Sequence, residues 1–124
     1  MFQLSVETAF CAAHAIVIKG EREPLHGHTW LVTLRIGAHT LDQDGLVCDF
    51  HAVEHALRET VAPFHNHNLN EVPPFDTVNP TAELVAQHIG DTVAKSLPEG
   101  VHLVSCAITE APGCIAIYRP SHPG

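Results

Sequence analysis

Apolar and polar residues alternate from the start of this chain. Phe2, Leu4, Val6 and Thr8 interleave with Gln3, Ser5 and Glu7, the period of a strand that buries one face. Residues 26–36 predict a second strand, in which Thr29, Trp30, Val32, Thr33 and Ile36 supply β-branched and aromatic side chains. The charged stretch 19–24 between them reads as a loop. Leu41-Asp42-Gln43-Asp44-Gly45 carries turn chemistry, and Asp49 then offers an N-cap to a helix over 50–61, where Val53, Ala56, Leu57 and Val61 repeat at helical spacing. Asn79-Pro80 predicts a second helix start, with Asn as cap and Pro in the first turn. Ala82, Val85, Ala86, Ile89, Val93 and Leu97 would line one of its faces, and Pro98 and Gly100 would end it. Strands over 101–109 and 114–118 around Ala111-Pro112-Gly113 form a predicted hairpin.

The order ββααββ favours an α+β fold: an antiparallel four-stranded sheet with two helices on one face. Residues 1–124 make one domain by length, with no internal repeat or linker. A sheet of this kind leaves its strand edges open, and pairing with neighbouring subunits would close them, so a homo-oligomer is expected.

Composition narrows the function classes. Six basic against fourteen acidic residues give a net charge of −8, which repels a phosphate backbone and argues against nucleic acid. No apolar run approaches the roughly 18 residues of a membrane span. The N-terminus lacks a secretory pattern, so a cytoplasmic location is expected, with Cys11, Cys48, Cys106 and Cys114 as reduced thiols, three of them buried. A few cations would still serve an anionic ligand.

Eleven histidines in 124 residues are the unusual entry in the composition. In His26-Gly27-His28 two imidazoles on one strand point to the same face, and the glycine between them removes a side chain that would crowd the backbone. His14 follows the end of the first strand, where an antiparallel neighbour could bring it beside that pair. Three neutral histidines are a known catalytic zinc set with an open position; surface histidines are the plainer explanation of the pair alone. His65 and His67 lie in a polar loop between the helices, with a general acid or base preferred over a second metal site. His55 and His88 on helices, and His39, His102 and His122 at turns or strand ends, suit solvated or packing roles, and His51 is intermediate, beside Asp49.

In order and spacing, Ala12-Ala13-His14, Leu25-His26-Gly27-His28, Gly45-Leu46-Val47-Cys48-Asp49-Phe50, Leu69-Asn70, Asn79-Pro80-Thr81-Ala82-Glu83 and Glu110 resemble the 6-pyruvoyl-tetrahydropterin synthases and the related 6-carboxytetrahydropterin synthases. That resemblance implies the tunnelling fold, with trimers closing a β-barrel and two trimers stacked as a hexamer. It also implies zinc on His14, His26 and His28, Glu110 anchoring the amino-pyrimidine ring of a pterin, and Thr81 helping to hold that ring. Glu83, in the first turn of a helix, is sufficiently explained by the helix dipole.

Departures from the family pattern bear on the reaction. Arg22 stands where a catalytic Cys is usual, and His65-Asn66 where Asp-His is usual. A subgroup of the family carries instead a Glu three residues before His-Gly-His, here Glu23, and resembles an enzyme that removes the side chain of dihydroneopterin. The expected function is therefore a zinc-dependent lyase acting on the C6 side chain of 7,8-dihydroneopterin or its triphosphate, either cleaving it to 6-hydroxymethyl-dihydropterin or making 6-carboxytetrahydropterin. Glu23, with His65 or His67, would move protons. Lys19, Arg22 and Arg35 are the cations available to a triphosphate. The rivals are a non-catalytic zinc- and pterin-binding module and a histidine-rich metal store.

Overall fold

Two long strands form the spine of the computed structural model, which describes residues 1–121. β1 (Phe2–His14) pairs antiparallel along its whole length with β4 (His26–Ala38), from Phe2↔Ala38 to His14↔His26. Between them β2 (Val17–Ile18) and β3 (Glu21–Arg22) make a small separate hairpin where a loop was expected. Its turn is Lys19-Gly20, with φ of 52° and 83°, the left-handed pair that a two-residue turn demands and that glycine tolerates best. The remaining elements are α1 (Phe50–Val61), β5 (His67–Asn68), α2 (Ala82–Ala94), β6 (His102–Ala111) and β7 (Cys114–Tyr118).

The main sheet runs β5-β1-β4-β6-β7. Its four longer strands pair antiparallel, but β5 joins β1 in parallel through Ala12↔His67 and Ala13↔Asn68. The fold is thus α+β with a five-stranded mixed sheet, a correction to the expected four-stranded antiparallel one. A two-residue strand carries no periodic signal, so only its tertiary partner reveals it. β1 is also longer than its alternation suggested: His14 is its last residue rather than a residue beyond it.

Both helices cover one face. α1 buries Val53, Leu57 and Val61 against β1, and α2 buries Val85, Ala86, Ile89, Gly90 and Val93 against β6 and β7. From the sheet, Phe10, Trp30, Val32, Leu34, Ile36, Cys106 and Ile108 meet them in the core. Asp49 caps α1 as expected, accepting from the His51 N–H at 2.9 Å. The cap of α2 is Thr81 instead of Asn79: its Oγ1 accepts from the Leu84 N–H at 3.1 Å, and the helix ends at Ala94, before Pro98. On the bare face the register aligns Leu31, Thr109 and Ile115 in one row and Thr33, Ala107 and Ile117 in the next. Leu31, Ile115 and Ile117 are exposed there.

Gly90 marks the closest approach of helix to sheet. A Cβ on it would lie 3.1 Å from Cys106 Cβ, 3.1 Å from Leu103 Cδ2 and 3.2 Å from Tyr118 Cδ2. Alanine would restore about 1 kcal/mol of helix propensity, yet overpacking against three neighbours at once costs about 1–3 kcal/mol. Gly90→Ala is expected to lower the denaturant midpoint, and an unchanged or raised midpoint would show that the sheet yields.

All four cysteines are free. Cys48 and Cys106 are buried and Cys11 and Cys114 exposed, so two, not three, are buried; alternation along β1 puts Cys11 on the bare face, and Cys114 is the first residue of the edge strand β7. Burial pushes the Cys106 thiol up to about 12 and raises that of Cys48, where Asp49 and Asp42 add to the effect. Because the thiolate is the nucleophile, both are expected to stay silent to a thiol reagent near pH 8 in the native protein and to react in denaturant. Rapid native labelling at either would contradict the packing.

Candidate metal centre

The antiparallel register delivers the expected histidines to one place. His14 lies opposite His26, and Ala12 opposite His28, so all three imidazoles point to the helix-covered face at one end of the sheet. Ring centroids are 4.7 Å apart for His14–His26, 5.4 Å for His14–His28 and 4.6 Å for His26–His28. Glu110, near the end of β6, joins them: one donor atom from each of the four residues lies within 4.8 Å of the others. The floor is Trp30, fully buried, with its ring edge-on to His14 at 4.7 Å and to His28 at 5.8 Å and its Nε1–H donating to Ala12 O at 3.1 Å.

Hydrogen bonds preset the ring nitrogens for a cation. His14 Nδ1 donates to Pro80 O at 2.8 Å and His26 Nδ1 to Pro24 O at 2.9 Å, which leaves each neutral ring a lone pair on Nε2. Carbonyl partners of this kind fix tautomer and orientation in metal-ligating histidines. His14 Nε2 then faces Glu110 Oε1 at 2.9 Å, and His28 Nε2 lies 3.2 Å from the same oxygen. Two acceptors this close need a cation between them, whether a metal ion or the proton of an imidazolium. His28 Nε2 is moreover a buried nitrogen without a hydrogen-bond partner. Burial lowers the His28 pKa, Glu110 opposes that, and His26 and His14 reinforce it, so the ring is neutral and ready to ligate near pH 7. The donor set fits a divalent ion.

Gly27 has a different use from the one expected. A Cβ there would come no closer than 4.0 Å, to Ala12 O, so backbone clearance does not require it. It borders two hollows, of about 600 Å³ and 610 Å³, on either side of β4. The first also contains Cys11, His28 and His67, and the second Glu110 and Leu31. A third, of about 400 Å³, lies between Glu110 and Glu83. The helix dipole explained Glu83 from sequence; only the tertiary fold brings it beside Glu110.

The proposed proton-transfer residues separate into near and far. Glu23 Oε1 is 3.7 Å from His26 Nε2 and accepts from the Ile16 N–H at 3.1 Å, which puts its carboxylate at the rim of the cluster. His67 Nδ1 donates to His65 O at 2.7 Å, and the residue lines the hollow shared with His28. His65 is engaged differently, since its Nδ1 accepts from the Cys11 N–H at 3.1 Å. Asn66 has φ of 61°, a left-handed position that asparagine tolerates, and its N–H donates to Cys11 O at 2.6 Å. Thr81 is half-buried, with its hydroxyl oxygen spent on the α2 cap.

The other histidines stay outside. His51 and His55 are exposed on α1, His88 packs edge-on to Phe64 and Phe75, and His39 and His102 lie 6.2 Å apart at the far end of the sheet. His122 lies outside the described residues. Among those described, no helix is long and apolar enough to cross a membrane.

Known proteins resemble this chain in sequence and in fold. The chain is 33% identical over 102 residues, 82% of its own length and 83% of the other, to a dihydroneopterin monophosphate aldolase of Pyrococcus furiosus. It is 29% identical to the 6-carboxy-5,6,7,8-tetrahydropterin synthase of Bacillus subtilis, covering 99% of this chain and 88% of that one. Among solved structures, the 6-pyruvoyl tetrahydropterin synthase of Caenorhabditis elegans superposes with a TM-score of 0.84 at 20% identity, covering 97% and 96% of the two chains. A Plasmodium vivax 6-pyruvoyltetrahydropterin synthase with a catalytic residue, a glutamate, replaced by alanine superposes with a TM-score of 0.79 at 21% identity, covering 96% and 97%. The family model described as 6-pyruvoyl tetrahydropterin synthase matches residues 3–121, and with a match of that extent the chain belongs to this family.

Proposed function

We propose that this protein is a zinc-dependent lyase that cleaves the C6 side chain of a 7,8-dihydroneopterin to give 6-hydroxymethyl-dihydropterin. The observation that carries this reading is the Glu23 carboxylate at the rim of the three-histidine cluster, 3.7 Å from His26 Nε2, in a chain that has Arg22 where the family's usual thiol stands. The likeness to a dihydroneopterin monophosphate aldolase supports cleavage over synthesis. The glutamate replaced as a catalytic residue in the Plasmodium vivax protein supports a carboxylate in this role.

His14, His26 and His28 would hold the zinc. The bound ion supplies a Lewis acid that polarises a side-chain oxygen. Glu23 takes the proton from the hydroxyl on the second side-chain carbon. The bond between the first and second carbons breaks, its electron pair passes into the conjugated ring, and a two-carbon aldehyde leaves. The proton returns to the first carbon, which keeps its hydroxyl and becomes the hydroxymethyl group. His67, which lines the adjoining hollow, is better placed as the second proton-carrying group than His65, whose Nδ1 is engaged by the Cys11 N–H. Glu110, with Glu83 across their shared hollow, receives the N–H donors of the amino-pyrimidine ring, because a carboxylate facing parallel donors makes a charge-assisted pair; Thr81 helps to hold the ring. Lys19 and Arg22, on the hairpin beside Glu23, are the cations for a phosphorylated side chain, whereas Arg35 lies nine residues along β4 from His26, about 30 Å from the cluster.

Incubation of zinc-loaded protein with dihydroneopterin, its monophosphate and its triphosphate tests the reading. A hydroxymethyl-pterin and a two-carbon aldehyde are expected; a carboxy- or pyruvoyl-pterin instead would assign a synthase reaction. A second reading, binding without turnover, is favoured by Arg22 and Asn66 and predicts pterin binding with no product from any of the three.

Leu31, Ile115 and Ile117 are 42%, 59% and 51% exposed on the sheet face opposite the helices. Exposed apolar rows of this kind mark contact surfaces, and they support the trimer-closed barrel and the hexamer. Sedimentation is expected to give a multiple of three chains, and a monomer would contradict it.

A further inference from the structure

Three consecutive backbone units beyond His14 are each gripped by one residue. The Ala15 N–H donates to Asn70 Oδ1 at 2.8 Å while Asn70 Nδ2 donates to Ala15 O at 2.9 Å. Asn79 does the same to Val17, with both bonds at 2.9 Å. Between them, the Ile16 N–H donates to Glu23 Oε1 at 3.1 Å and Ile16 O accepts from the Glu23 N–H at 3.0 Å. A carboxamide offers a donor and an acceptor together, so each asparagine supplies one rung of a β-ladder from a side chain. Asn70 belongs to a 3₁₀ turn, Leu69–Glu71, and Asn79 to the segment entering α2. They come from 55 and 62 residues away to pinch the segment on either side of Ile16.

We propose that Asn70 and Asn79 are positioning residues that act through the Ala15–Val17 backbone to set the Glu23 carboxylate against the metal cluster; the inference rests on the reading of Glu23 as the proton-transferring group. The glutamate itself sits on a charged connector beside a small hairpin, where side-chain rotation would be free. What fixes its oxygen is one N–H, that of Ile16, and what holds that peptide unit in place is the pair of flanking clamps together with the bond from the Glu23 N–H to Ile16 O. Both asparagines are half-buried and line a small hollow of about 260 Å³ beside Arg22. The amide oxygen and nitrogen of each are both spent on the Ala15 or Val17 backbone, so a ligand role does not account for them. A displacement of about 1 Å in a reacting group can cost about 10²-fold in rate, which sets the scale of what the clamps protect.

The test is a double-mutant cycle on the zinc-loaded full chain, with Asn70→Ala and Asn79→Ala made alone and together with Glu23→Gln. Each asparagine variant is expected to lose about 10- to 100-fold in kcat with KM within about threefold of the parent and zinc still at one per chain. In the Glu23→Gln background the same variants are expected to change kcat less than about twofold, because no carboxylate is left to misplace. Equal losses in both backgrounds would overturn the inference alone, whereas parental turnover by Glu23→Gln would overturn the reading beneath it. Amide hydrogen exchange gives a readout independent of turnover: Ile16 should exchange at least about tenfold faster in either variant while β6 keeps its protection. An unchanged Ile16 rate would refute the clamp. If Asn79→Ala does not fold, Asn79→Asp, which keeps the acceptor and removes the donor, carries the same comparisons.

Discussion

Replacing His14 with alanine is expected to empty the metal site. His14 is 1% exposed, and its imidazole does two jobs at once, offering Nε2 to the cluster and Nδ1–H to Pro80 O. Loss of an outer-shell partner alone typically weakens metal affinity about 10–100-fold; loss of a ligand from a three-imidazole set should exceed that. Elemental analysis should fall from one zinc per chain to well below a tenth, with lyase activity lost in proportion. The fold should weaken too, since an unpaired buried carbonyl costs about 1–3 kcal/mol. His51→Ala on the exposed face of α1 is the control and should change neither. A His14→Ala protein that kept its full complement of tightly bound zinc would remove the foundation of the enzymatic reading.

Glu23→Gln is expected to separate binding from turnover. Glutamine keeps an oxygen to accept from the Ile16 N–H but cannot take a proton, and general acid–base groups typically contribute about 10²–10⁴-fold. kcat on dihydroneopterin should fall by that range while zinc content and the denaturant midpoint stay put. His67→Ala should cost less, and His65→Ala least. Full turnover in Glu23→Gln would reassign proton transfer to another group, with His67 next in line.

The long elements were readable because their signals are periodic. Alternation marked β1, β-branched density marked β4, and helical spacing after Asp49 placed α1 at 50–61, the span observed. The three histidines were readable because His-x-His puts both side chains on one strand face, and because His14, at the end of the first strand, could be brought beside them by an antiparallel neighbour, a set that the family resemblance also implied. Features made by tertiary contact were not readable. β5 exists only because residues 67–68 lie alongside β1, Thr81 displaced Asn79 as the helix cap because Asn79 is committed to Val17, and Glu83 meets Glu110 only after α2 packs on β6. Glu110 itself was expected to face the pterin ring, and its proximity to His14 and His28 depends on where β6 ends relative to β4, which neither strand's sequence specifies alone.

The chain has a single tryptophan, and it is the one beneath the imidazoles. An indole sealed from water emits to the blue, and one in contact with His14 and His28 shares its surroundings with whatever those rings bind. Its fluorescence is therefore a reporter built into the protein: a paramagnetic or redox-active ion such as Co²⁺ or Cu²⁺ entering the site should quench it, Zn²⁺ should then reverse the quenching by competition, and unfolding should shift the emission to the red. Occupancy and integrity of the centre can thus be followed optically, without a label and without knowing the substrate.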